Sequence, residues 1–101
     1  MASRLDLHEV LCEILGSRNV YFQPPSSVRM NYPAIRYSLA NIDNVHANDG
    51  VYAQHRSYDV TVIDANPDSE IPDKISRLPL CSFSRHYTAD NLNHYAFTLY
   101  F

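Results

Sequence analysis

The spacing of apolar positions changes several times along the chain, and each change marks an element. From Ser3 to Gly16, Leu7, Val10, Leu11 and Ile14, with Leu15, recur at helical spacing and form one stripe. Asp6, Glu9 and Glu13 occupy the other side. Ser3 can cap this helix, Asp6 complements its dipole, and Gly16 can end it. The segment 20–23, VYFQ, reads as a short strand stopped by Pro24 and Pro25, which cannot donate to a ladder. Residues 24–33 read as a loop. In 34–40, AIRYSLA, the residues Ile35, Tyr37 and Leu39 alternate with Arg36 and Ser38, the period of a half-buried strand.

Polar, turn-rich composition fills 41–50, and with its flanks it predicts a loop over 41–53, longer than the 2–5 or so residues a hairpin needs. The clearest strand is 54–64, where Tyr58, Val60 and Val62 oppose Asp59 and Thr61. The period then returns to helical. Asp68 or Ser69 can cap a short helix, Glu70 supports its first turn, Pro72 fits an early position, and Ile71, Ile75 and Leu78 form its stripe before Pro79. Two more strands, 80–87 and 94–101, are joined by TADNLN, and Tyr95, Phe97, Leu99 and Phe101 make the last inward face. This order predicts an α+β fold. Its mixed, mainly antiparallel sheet of four to five strands carries the N-terminal helix and the second, short helix on one face.

At 101 residues the chain is one domain, 1–101. An apolar fraction of 46% with 19% charged residues fits a globular chain. Only 2 glycines are present, which excludes glycine-rich phosphate loops. The net charge of −3, from 8 basic and 11 acidic residues, argues against a phosphate-gripping surface. Seven of the basic residues are arginine and one is Lys74, a balance that suits contact with other protein. Cys12 and Cys81 sit in a helix and a strand and read as small buried hydrophobes rather than a disulfide. No segment has the length and apolarity of a membrane span, and the N-terminus lacks a signal-peptide pattern. Synthesis in a reducing cytoplasm is expected.

The candidate chemistry is sparse. Asp64, Asp68, Glu70 and Asp73 cluster, but without the calcium-loop spacing, and helix-start acids serve capping. His86 and His94 flank the last turn, two ligands short of a closed zinc site. Ser82 and Ser84 precede His86 without a nucleophile elbow. No catalytic, cofactor or metal residues are therefore assigned. Arg36, Arg56 and Arg85 fall on strand faces taken as outward, where they are either solvated or paired with carboxylates of a neighbouring subunit.

The stretch from Tyr58 to Phe101, above all VTVIDANPDSEIPDKI and RHYTADNLNHYAFTLYF, together with NYPAIRYSL upstream, resembles the tail terminator, or tail completion, proteins of long-tailed bacteriophages. The similarity spans most of the chain and is looser around YPAIRYSL. It implies a structural virion protein that forms a ring, a hexamer in that family, at the head-proximal end of the tail tube. Such a ring stops tube polymerisation and joins the tail to the head connector. The implied partners are other copies of itself, the tail tube protein and the connector or stopper protein. DNA passes through the lumen unbound, and neither a cofactor nor a membrane is involved. The residues expected at subunit or tube interfaces are Arg36, Asn41, Asp43, His46, Asn48, Asp49, Tyr52, Arg56 and Arg85. A head-side neck or stopper protein, a small-molecule-binding or enzymatic α+β domain, and a general subunit adaptor remain as alternatives.

Overall fold

The computed structural model describes residues 4–25, 29, 31–47 and 50–101, with 43–47 and 50–55 as backbone alone. Helix α1 (Arg4–Leu15) leads to strand β1 (Val20–Phe22), the long strands β2 (Ala34–Ala47) and β3 (Gly50–Asp64), helix α2 (Ile71–Ser76), and strands β4 (Cys81–Ala89) and β5 (Leu92–Tyr100). They form one five-stranded sheet in the order β1-β2-β3-β5-β4. Only β1 runs parallel to its neighbour; the other pairings are antiparallel. The α+β fold and the two helices agree with the sequence pattern.

One face of the sheet is dry. Val20, Ile35, Tyr37, Tyr58, Val60, Val62, Phe97 and Leu99 form a single core with Leu7, Leu11 and Cys12 of α1 and Ile75 of α2. Each fully buried aliphatic side chain of this kind contributes roughly 1.5–3 kcal/mol. Register puts them in rows, for example Ile35–Val62–Tyr95 and Tyr37–Val60–Phe97. The α1 stripe meets these rows, and Gly16 ends the helix at φ +80°, its N–H bonding to the Cys12 carbonyl at 2.9 Å. Glycine suits that left-handed position because it lacks a Cβ.

Tyr37 is the largest fully buried side chain, and it ties helix to sheet through its hydroxyl. The Arg4 guanidinium donates to the Tyr37 oxygen at 3.1 Å, and that oxygen lies 2.8 Å from His8 Nδ1. With Arg4 donating, the tyrosine proton is free to point at Nδ1, which then accepts from it as a neutral imidazole. Burial, and after it the Arg4 charge, lower the His8 pKa below its ordinary 6.5, which favours that neutral form. Burial also raises the Tyr37 pKa, against the Arg4 hydrogen bond. Arg4 further stacks over the Phe22 ring at 4.4 Å, a cation–π contact.

The elements differ from the sequence reading mainly in length. The expected loop 41–53 is, in its described part, a continuation of β2 and β3, paired from Asn41↔Ser57 to Ala47↔Gly50. The sequence there is polar and turn-rich without an alternating apolar period, so local composition reads as loop where pairing between the two segments makes strand. Strands β4 and β5 meet through Asp90 and Asn91, both at positive φ (52° and 62°), the conformation of a tight hairpin turn that Asp and Asn tolerate. At α2 the N-cap residue is Glu70 and makes no side-chain cap bond. Ser69 Oγ instead accepts from the Ile71 N–H at 3.3 Å, while Asp68 caps nothing. Phe101, expected to face inward, follows the end of β5 and is exposed, as is Leu39.

Phe97 is 2% exposed, and Phe97→Ala is expected to lower unfolding free energy by about 3–5 kcal/mol in urea denaturation; a near-neutral result would reverse the assigned faces. His8 adds a pH dependence. Its folded pKa lies below its unfolded value, so the unfolded chain takes up the proton first as pH falls. The stability it contributes is complete above pH ~6.5 and is lost as pH drops through that value toward the folded pKa. Calorimetric Tm should fall between about pH 7.5 and about pH 5, and by less in His8→Gln, whose amide oxygen still accepts from Tyr37.

Candidate functional site

The groups that suggested chemistry are separated by the fold. A register shift between Phe83 and Arg85 makes Ser84 a bulge residue. The bulge changes the face of every later residue in β4 relative to a regular strand. His86 therefore pairs with Tyr95 on the helix-bearing side, where its Nε2 lies 3.1 Å from Asn93 Oδ1, while Ser82 and Ser84 belong to the opposite face. His94 is buried and stacks on Tyr87 at 4.8 Å on the helix-free side, so the two histidines do not converge. Asp64 and Asn66 accept backbone N–H bonds two residues ahead, at 3.0 Å each, which accounts for them as turn residues. Cys12 and Cys81 are both free. Among the described residues no group of three His, Cys, Asp or Glu side chains is placed to hold a metal ion.

Shape is more informative. The last pairing of β3 with a third strand is Ser57↔Tyr100, extended by the Phe101 N–H to the Arg56 carbonyl at 3.1 Å. Beyond it β2 and β3 continue as a two-stranded arm of about six pairs, about 20 Å long at 3.4 Å per residue. The arm accounts for the elongated form, 51 × 28 × 23 Å. Strand β1 covers only Ile35–Tyr37 of β2, so among the described residues no strand pairs with the outer edge of the arm. Just past β1, Gln23 turns at φ +44° and its Oε1 accepts from the Leu39 N–H at 3.1 Å. A side-chain amide thus blunts the edge where the strand partner stops.

At the foot of the arm the helices no longer cover the sheet. Leu39, Ile42 and Phe101 are exposed on the helix-bearing side, and Leu80 and Phe83 are 74% and 57% exposed at the start of edge strand β4. Phe83 leans edge-on against Phe97 at 5.4 Å. Exposed apolar groups gathered at one end mark a contact surface. The opposite face of the sheet carries no helix among the described residues; it buries Ala34, Ile63 and His94 and holds a groove of ≈ 640 Å³, lined among others by Gln23, Arg36, Asp59, Thr61, Arg85 and Ala96.

The expected interface residues divide among these surfaces. Arg36 and Arg85 share the helix-free face, at the two ends of the row Arg36–Thr61–Ala96–Arg85. Arg56 lies opposite Ile42 and, with Asn41, sits at the foot of the arm. Asp43, His46 and Tyr52 belong to the arm backbone, and Asn48 and Asp49 lie outside the described residues. The expectation missed Leu39, Ile42, Leu80, Phe83 and Phe101; their exposure depends on where the helices stop, which no local pattern encodes. No protein-family model and no curated protein matches the chain.

Proposed function

We propose that the protein is a structural subunit of a bacteriophage virion, a tail terminator that closes into a ring on the head-proximal end of the tail tube. There it ends tube growth and offers the surface that joins the connector. The proposal starts from the sequence resemblance, and the arm with the apolar patch at its foot is the observation that carries it. An isolated two-stranded ribbon is marginally stable in water, so a ribbon of this length calls for another protein surface beside it. The patch at its base is where such a surface would begin. The protein then works by docking and carries out no chemical step. Six copies at −3 each would bring a net charge of −18 (6 × −3), which favours free passage of DNA over retention. Assembly of the particle would take place in the host cytoplasm.

Purified protein is expected to form rings visible by electron microscopy and to bind isolated tail tubes rather than portal complexes. The reverse preference would make it a head-side neck protein, and a monomer without affinity for either would end the proposal. Phe83→Asp with Leu80→Asp should abolish ring or tube association while lowering stability by only about 1 kcal/mol, because both side chains are exposed.

A further inference from the structure

The groove on the helix-free face contains a stack of three side chains. The Arg85 guanidinium lies over the Tyr87 ring at 4.9 Å, and that ring stacks on His94 at 4.8 Å and 19°. His94 is buried, and its Nδ1 donates to the Leu92 carbonyl at 3.1 Å, since a carbonyl can only accept. Arg85 therefore leans along its own strand toward Tyr87 and is held there before any ligand arrives. A guanidinium resting on an aromatic face has already given up rotamer freedom, and its N–H edge still suits a bidentate carboxylate. Arg36 stands at the far end of the row Arg36–Thr61–Ala96–Arg85, and both arginines line the groove.

The charges of this groove leave one another unpaired. Asp59 lies in the adjoining row, opposite Ser38 and Thr98, yet neither guanidinium bonds to it; between described residues the ion pair is Arg18–Glu9, at 3.0 Å. Two arginines against one aspartate make the groove net positive on a chain of net charge −3. Three strand spacings of about 4.8 Å put the two arginine columns about 14 Å apart. An extended chain advances about 3.4 Å per residue, so side chains four residues apart on one of its faces are also about 14 Å apart. The residue midway between them stands over Thr61 and Ala96, whose short side chains line the groove. Beside that midpoint the Asp59 carboxylate can accept backbone N–H groups, and it repels a third acid.

We propose that this groove docks an extended acidic segment of a partner protein, with one carboxylate on Arg36, a second four residues along on Arg85, and a small or apolar residue between them over Thr61 and Ala96. The segment crosses the strands, so side-chain contacts rather than ladder hydrogen bonds hold it. Nucleic acid is the poorer occupant. Two arginines meet two phosphates, while Asp59 and the net charge of −3 oppose the rest of a polyanion. The site belongs to the single chain and goes beyond the ring proposed above. It uses neither Leu80, Phe83 nor the arm, so the two readings fail independently.

The test is isothermal titration calorimetry on the purified protein, with circular dichroism confirming the fold of each variant. The probe is an acetylated, amidated heptapeptide of threonines with glutamate at its second and sixth positions and valine at its fourth. It is expected to bind one to one, and its glutamine counterpart about tenfold more weakly. Arg36→Gln and Arg85→Gln should each lower affinity about tenfold. Tyr87→Leu leaves both arginines in place but removes the platform, and should lower affinity by about threefold or more, whereas Tyr87→Phe keeps the platform and the affinity. A third glutamate in place of the valine should weaken binding to the parent, and Asp59→Asn should restore it. Leu80→Asp with Phe83→Asp should leave peptide binding unchanged. Absence of binding, equal binding of the glutamine peptide, or tighter binding of a thymidine oligonucleotide that the same arginine variants abolish overturns the docking site, whatever rings the protein forms. A protein that takes the peptide in this pattern yet never assembles keeps the site and removes the ring.

Discussion

Everything in this molecule depends on burying one side of a sheet beneath two helices too short to cover all of it. The rows through Ile35, Tyr37, Val60, Val62 and Phe97 are sealed by Leu7, Leu11 and Ile75, and their burial is the dominant favourable term in folding. Tyr37 sits at the centre of that seal. Its ring packs against Phe22 and Tyr58 at 4.9 and 6.1 Å, while its hydroxyl is satisfied by Arg4 and His8. A buried hydroxyl without partners would carry a desolvation cost. Meeting that need with two residues from the first turns of α1 also fixes where the helix lies.

The surfaces offered to other proteins follow from the same limit. Where the helices end, Leu39, Ile42, Leu80, Phe83 and Phe101 remain in water. Where β5 and β1 end, β2 and β3 proceed as an arm. On the second face Ala34, Thr61, Ile63 and His94 are buried, while the groove between Arg36 and Arg85 is open.

These surfaces differ in physical character, and that difference suits a structural role with more than one partner. The patch at the foot of the arm is apolar and would favour a long-lived contact. The groove is polar and charged, so it would confer orientation and salt sensitivity more than raw affinity. The bulge at Ser84 serves both ends of this division. It turns Arg85 onto the helix-free face beside Tyr87, whose ring the guanidinium overlies at 4.9 Å, and it sends His86 to the other side.

The fold class was legible because its elements are half-buried and alternating burial leaves a period in the sequence. The stripe of α1, the alternation of 58–62 and 95–99, the stop at Gly16 and the order of elements all follow from local residue choice. The candidate surfaces were legible only in part. Arg36, Arg56 and Arg85 could be placed on strands, but the bulge that puts Arg85 on the face of Arg36 is a property of the β4–β5 register. The arm reads as loop because its polar, turn-rich sequence carries no alternating apolar period. The sequence by itself determined the order of the elements and the apolar stripes they offer, though not that Leu39 and Phe101 would stay exposed. Tertiary structure alone decided which rows the helices reach, which apolar residues stay outside, and which charges share a face, because these depend on distances between segments far apart in the chain.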